Sequence, residues 1–133
     1  MADVKVIKAG KRWRKNEGTL TLSDDSGKKL TMISVLLEKA LYIKEVLEGK
    51  KIPSNDIYGL IDPQLRSELM KRVGSGQKPV DVTIYAKDDS YKGNVGLNVN
   101  GSSDILTGYK ASDTILIALR YEIPIRVSDH LLH

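Results

Sequence analysis

Residues 106–132 carry the pattern of a strand, a sharp turn, a helix and a second short strand, and this pattern organises the chain. Ile115, Ala118 and Leu119 have the i, i+3, i+4 spacing of a helix that packs along one face. Pro124 ends the helix, because proline cannot continue the backbone hydrogen-bond pattern. The sequence therefore predicts an apolar helix, packed along one face, between two strands.

Two polar residues are predicted at the start of this helix. Ser112 is expected to cap it, since a serine oxygen accepts the free N–H groups of a first turn. Asp113 falls in that turn, where the positive end of the helix dipole stabilises a carboxylate. Asp113 either contributes only to stability or faces a groove and takes part in catalysis, and the sequence leaves both interpretations open.

The same segment supports a family resemblance. Its matching parts are Ser112-Asp113, the apolar helix, Ile123-Pro124-Ile125 and Val127-Ser128-Asp129. They resemble the C-terminal signature of the bifunctional nuclease domain family, and a weaker similarity reaches back to about Leu20. The resemblance implies hydrolysis of RNA and DNA with little sequence preference, and assembly into homodimers or larger homo-oligomers.

Other family positions match less closely. Leu47-Glu48-Gly49 and Pro53 fit the pattern, and Asp56 corresponds to the aspartate of the family's Thr-His-Asp motif. Lys110-Ala111 replaces an Arg-Pro pair, and Leu37 aligns with a glutamate of the first helix. If that glutamate and arginine are needed for cleavage, the resemblance implies a scaffold that has lost it.

The composition predicts one domain, residues 1–133, in the cytoplasm. Cysteine is absent, which excludes disulfides and thiolate metal sites. No apolar run approaches the ~20 residues of a membrane span, so no membrane association is expected. The polar, lysine-rich start of the chain does not resemble a signal peptide.

Residues 1–18, a predicted strand and basic arm, hold the whole excess of the net charge of +4. The most basic run is Lys11, Arg12, Trp13, Arg14 and Lys15. Cations around an aromatic ring can hold a phosphate backbone and stack on a base. The alternative is a solvated loop whose tryptophan packs back on the core.

The rest of the chain predicts an α+β fold, a mixed sheet built from two similar strand-strand-helix halves in a single domain. Turns are expected at Asp24–Gly27 and Asn100–Gly101, where Gly and Asn tolerate positive φ. A first helix is expected after Ser34 as its cap, and another from Asp62 and Pro63.

Carboxylates are the remaining catalytic candidates, because no standard catalytic motif is present and the two histidines, His130 and His133, lie near the C-terminal end of the sequence. Asp113, Asp129, Asp56 and Glu48 could hold Mg²⁺ or Mn²⁺ for phosphodiester hydrolysis if the fold gathers them. Ser112 is grouped with Asp113 and Asp56 as a catalytic candidate.

Three hypotheses follow for the function. The first is a nuclease, with Lys110 and the basic run contacting the nucleic acid. The second is a non-catalytic nucleic-acid-binding or regulatory module on the same scaffold. The third is a module for an acidic small ligand or a protein partner.

Overall fold

The computed structural model describes residues 1–50 and 57–133. The strands are β1 (Ala2–Lys11), β2 (Gly18–Ser23), β3 (Lys29–Val35), β4 (Lys78–Lys87), β5 (Ser90–Val99), β6 (Ser102–Lys110) and β7 (Ile125–Val127). The helices are α1 (Leu37–Leu47), α2 (Ile57–Leu60), α3 (Pro63–Gly74) and α4 (Ala111–Tyr121), and a 3₁₀ turn covers Asp129–Leu131. None of the helices in these two ranges could span a membrane.

The strands form one seven-stranded mixed sheet in the order β3-β2-β1-β7-β4-β5-β6. The central strand β7 pairs antiparallel with β1 and parallel with β4. Each side of β7 is therefore an antiparallel meander, β1-β2-β3 or β4-β5-β6, and each meander is followed by a helix. The α+β fold predicted from the sequence is confirmed, with three strands before the helix in each half.

The two halves share three details of backbone geometry. Gly18 of β2 pairs with Val35 of β3, and Gly93 of β5 pairs with Tyr109 of β6. In both hairpins the register shifts directly after the glycine, between Gly18 and Leu20 or between Gly93 and Val95. The residue before each glycine's partner has positive φ, 62° at Ser34 and 82° at Gly108.

Both glycines allow a helix to approach the sheet closely. A Cβ added at Gly18 would overlap the Cβ of Ala40 in α1, and one added at Gly93 would overlap the side chain of Thr114 in α4. Ala40 and Thr114 are the fourth residues of their helices. Each helix therefore packs on the middle strand of its own meander at the same point.

The core lies between the sheet and the helices and is continuous through both halves. In β2 every second residue is buried, so that Leu20 and Leu22 are fully enclosed while the threonines between them are half-buried. In β5 the same alternation buries Val95 and Leu97. The first eight residues of α4, 111–118, are all buried, including Ser112, Asp113 and Thr114, so burial extends beyond the one apolar face that the sequence pattern predicted.

Two predicted helix caps are wrong. Ser34 belongs to β3, and the residue before α1 is Leu36. Ser112 is the second residue of α4, and Lys110 precedes that helix. Neither helix start has a side-chain cap. The cap at α3 is confirmed, since Asp62 Oδ1 accepts a hydrogen bond of 2.7 Å from the backbone N–H of Gln64.

The predicted turns are confirmed. Asp24 Oδ1 accepts hydrogen bonds from the backbone N–H groups of Ser26 and Lys28, both at 2.9 Å. These bonds lie within the turn and stabilise it locally. The pKa of Asp24 is lowered, and the hydrogen bond from the Ser26 side chain is the largest cause. Asn100 and Gly101 have φ of 45° and 85° between β5 and β6, which a two-residue hairpin turn requires.

Candidate functional site

A groove of about 440 Å³ lies between the first turns of α1 and α4. Its wall is formed by the end of β3, the β4–β5 turn, the start of β5 and the two helix starts. The polar lining residues are Ser34, Lys39, Asp89, Ser90, Tyr91, Lys92, Lys110 and Ser112. The groove therefore contains two residues that the sequence analysis singled out, Ser112 and Lys110.

A buried ion pair joins the two halves beside this groove. Lys39 Nζ lies 2.5 Å from Asp113 Oδ1, and the two residues are only 4% and 0% exposed. Each is the third residue of its helix, α1 or α4. The other carboxylate oxygen, Oδ2, accepts a hydrogen bond of 3.3 Å from the backbone N–H of Asp62.

This pairing decides what Asp113 is able to do. A buried carboxylate needs a partner charge and hydrogen bonding. Lys39 supplies the charge at Oδ1, and the N–H of Asp62 supplies one hydrogen bond at Oδ2. Asp113 therefore tethers α1 and the start of α3 to α4, and a metal ion would have to compete with Lys39 for it. Its catalytic role stays a prediction. Lys39 was missed by the sequence analysis, although its place on the apolar stripe of α1, one turn before Ile43, indicates burial.

The other proposed metal ligands do not join Asp113 within the described part of the chain. Asp129 is 74% exposed at its side chain and lies 3.4 Å from the N-terminal amine. Asp56 and the Pro53 break fall outside the described residues. No group of three His, Asp or Glu side chains that could hold a metal ion is found in residues 1–50 and 57–133.

Two lysines give the groove its positive charge. Lys92 of β5 and Lys110 of β6 are direct cross-strand partners. Among the described residues neither makes an ion pair. Lys39 is neutralised by Asp113, so two amines face the single carboxylate of Asp89 in the groove. Lys92 was not predicted, since only the strand register brings it beside Lys110.

The basic run forms the loop between β1 and β2, residues 12–17, together with Lys11 at the end of β1. Arg12 Nη1 lies 2.6 Å from Glu17 Oε1 across the base of this loop. The hydrogen bond from Arg12 is the largest cause of the lowered pKa of Glu17. Trp13 is 80% exposed, so the interpretation in which Trp13 packs on the core is wrong.

The loop is connected to the groove through Glu17. Ser34, which lines the groove, lies beside the Glu17 carboxylate and contributes to lowering its pKa. The next residue, Gly18, pairs with Val35, which also lines the groove. The basic loop and the lysine-lined groove are therefore adjacent parts of one surface.

A larger groove of about 750 Å³ lies at the other ends of the helices, lined by Val46 of α1 and by Ala118 and Leu119 of α4. Its charged residues are Asp3, Lys5, Asp25 and Glu122. A mainly acidic lining repels a polyanion. None of the residues predicted to act in catalysis or binding lines it, so the smaller groove is the better candidate.

No protein-family model matches the chain, and no curated protein matches it significantly. The resemblance to the bifunctional nuclease domain family therefore depends on the sequence motifs alone. The expected homo-oligomer also stays a prediction.

Proposed function

We propose that the protein binds nucleic acid and holds backbone phosphates in the groove between the starts of α1 and α4. The observation that supports this proposal most is the cross-strand pair Lys92 and Lys110, which lines the groove without an ion-pair partner among the described residues. A cytoplasmic location is part of the same proposal.

Electrostatics favour an anion at this position. Like charges on directly opposed strand residues repel each other, so Lys92 and Lys110 are each destabilised by the other. An anion between the amines removes that repulsion. The first turns of α1 and α4 add the positive ends of their helix dipoles, and neither helix start has a side-chain cap.

The neighbouring loop extends the positive surface. Lys11, Arg14 and Lys15 are exposed and make no ion pair with a described residue, whereas Arg12 is held by Glu17. A chain of phosphates that enters the groove can continue along these side chains. A single small anion would use the groove alone.

Phosphodiester hydrolysis, with Mg²⁺ or Mn²⁺ as candidate cofactors, is the second proposal. It is favoured by the position of Ser112 and Lys110 in the same groove, one helical turn or less from the Lys39–Asp113 pair. In this proposal Lys110 contacts the phosphate and Ser112 lies close to the scissile bond.

Fluorescence anisotropy with a labelled single-stranded oligonucleotide tests the binding proposal. The double variant Lys92→Gln/Lys110→Gln is expected to bind at least about 10-fold more weakly. Loss of two phosphate contacts should also make the negative slope of log K against log salt less steep by about 1.4. The control Lys71→Gln/Lys78→Gln removes the same charge at exposed positions outside the groove. Equal losses in both double variants would contradict the groove assignment.

Gel assays of labelled RNA and DNA with Mg²⁺, Mn²⁺ or a chelator test hydrolysis. Cleavage that disappears in Ser112→Ala while binding persists would support a catalytic groove. Cleavage that is unchanged in Ser112→Ala and in the lysine double variant would assign the activity elsewhere.

A further inference from the structure

We infer that the β1–β2 loop is a stacking platform for one unpaired base, and that the nucleic acid bound is therefore single-stranded. This inference rests on the proposed nucleic-acid binding and adds the class of ligand. It is supported by the exposure of Trp13, the position of Arg14 over its ring and the anchoring of the loop.

The exposure of Trp13 is the first observation. Tryptophan is usually buried over most of its surface, because its large ring gains much from leaving water. In this protein the ring is 80% exposed at the tip of a hairpin, although it is the only tryptophan of the chain. An exposed ring on an anchored loop offers a flat apolar face to a ligand.

Arg14 covers part of the ring. Its guanidinium carbon lies 4.4 Å from the centroid of the Trp13 ring, within the range of a cation–π contact. Arg14 adopts φ of 60°, in the left-handed region that ordinary residues rarely adopt. The backbone conformation therefore places a planar cation beside the ring, and both groups stack well on nucleobases.

The loop is held at its base, so the platform is pre-formed. Arg12 donates its backbone N–H to the carbonyl of Glu17 at 2.8 Å, and the two side chains form an ion pair at 2.6 Å. Anchoring of this kind reduces the entropy lost on binding.

A single strand fits this surface better than a duplex or a membrane does. In a duplex the bases are stacked on each other and their faces are inaccessible, whereas an unpaired base is free to stack on an aromatic ring. Trp13 is the only large apolar residue of loop residues 12–17, and a membrane-binding segment buries a larger apolar area. The groove lysines next to the loop continue the path for phosphates.

Intrinsic fluorescence tests the inference directly, since Trp13 is the source of all the tryptophan emission. We would titrate the protein with a 12-mer of deoxythymidine, with the same strand in a duplex, and with an abasic 12-mer that keeps the phosphates. Stacking predicts strong quenching by the single strand and little by the other two. Quenching by the abasic strand to the same extent would overturn the stacking role.

Variants separate this inference from the proposed function. Trp13→Ala is expected to weaken single-strand binding about 10-fold in anisotropy, while Trp13→Phe keeps a stacking ring and loses less. The Lys92→Gln/Lys110→Gln variant should still show quenching at saturating oligonucleotide. If Trp13→Ala binds as tightly as the wild type while the lysine variant does not, the platform is wrong and the groove proposal survives.

Two further outcomes count against the inference. Anionic vesicles of phosphatidylglycerol and phosphatidylcholine that shift the emission of Trp13 to shorter wavelength, with no response to oligonucleotides, would assign the loop to a lipid surface. Failure of the wild-type protein to bind any of the three oligonucleotides would overturn both the platform and the proposed function.

Discussion

The two halves of the molecule have the same backbone plan but different chemistry at equivalent positions. Each consists of three antiparallel strands and a helix, with a glycine in the middle strand that admits the helix. At the third helical position the first half has Lys39 and the second has Asp113. These equivalent positions meet in the buried ion pair, which therefore joins one half to the other.

The connection between the first two strands differs more. In the second half it is a tight turn at Asp88 and Asp89, with φ of 50° and 61°. In the first half it is the longer basic loop with Trp13 exposed. The features that both halves share are those required by backbone geometry, whereas the loop occurs in one half only. The comparison therefore identifies the loop as a part that the fold alone does not require.

Breaking the ion pair between the halves is expected to have the largest effect on stability. Lys39→Met leaves Asp113 buried without its counter-charge, and Asp113→Leu leaves Lys39 unpaired. Each single change should lower the free energy of unfolding by about 3–5 kcal/mol. Urea denaturation followed by circular dichroism measures the change.

The double variant Lys39→Met/Asp113→Leu sharpens this test. Replacing both charges with apolar groups removes the desolvation penalty, so most of the lost stability should return. Glu38→Gln, at the exposed neighbouring position of α1, is the matched control and should change little. If the double variant is as unstable as the sum of the single ones, the pair does not act as a unit.

The close approach of each helix to its sheet predicts the next largest effect. Gly18→Ala and Gly93→Ala each force a methyl group into Ala40 or Thr114, and overpacking of this kind typically costs about 1–3 kcal/mol. Thermal and urea denaturation measure both. Gly74→Ala is the control, since nothing lies within 4 Å of its added Cβ.

A second substitution in the facing helix should restore stability to a different extent in the two halves. Ala40→Gly removes the methyl group that Gly18→Ala meets, so that pair should recover most of the lost stability. The remainder is the ~1 kcal/mol that glycine costs in a helix and the tight contact of the new Cβ with the Gly10 carbonyl oxygen, 3.1 Å away. Thr114→Ala removes the hydroxyl and methyl groups but keeps the Cβ, so Gly93→Ala should recover only in part. Full recovery in the second half would show that α4 shifts more readily than α1.

Local patterns were enough to predict most of the fold. Apolar alternation located the strands, Asn100-Gly101 located a hairpin turn, and Asp62-Pro63 located the start of α3. Each of these depends on residues that are close in sequence. The resulting α+β class and the two-half architecture were therefore accessible from the chain alone.

The helix starts and the ion pair were less accessible. Ser34 resembles a helix cap, but the bulge before Val35 requires positive φ at that position, as at Gly108. The apolar stripe of α1 indicates that Lys39 is buried, but its partner Asp113 comes from the other half. A contact between residues so distant in sequence leaves no local pattern. The sequence therefore indicated Asp113 as a site residue but did not predict its ion pair with Lys39.

The last residues of α1 and α4 also differ between the halves, and this difference is expected to have the smallest effect on stability. The last residue of α4 is Tyr121, whose hydroxyl lies 2.9 Å from that of Tyr58 in α2, whereas α1 ends at Leu47, which has no ionisable group. Burial, and then the hydrogen bond to Tyr58, raises the pKa of Tyr121 to about 12.

Because the folded state keeps Tyr121 neutral, this group favours folding below its usual pKa of about 10, and the benefit is lost as the pH rises from there to about 12. The absorbance at 295 nm of the wild type minus that of Tyr121→Phe should show one tyrosine that ionises with a pKa of about 12. Tyr58→Phe should lower the pKa of Tyr121, because it removes the hydrogen bond between the two hydroxyl groups. Stability that falls equally above pH 10 in the wild type and in Tyr121→Phe would show that the second half gains nothing from this hydroxyl pair. The pH dependence would then have to come from groups outside the Tyr58–Tyr121 contact.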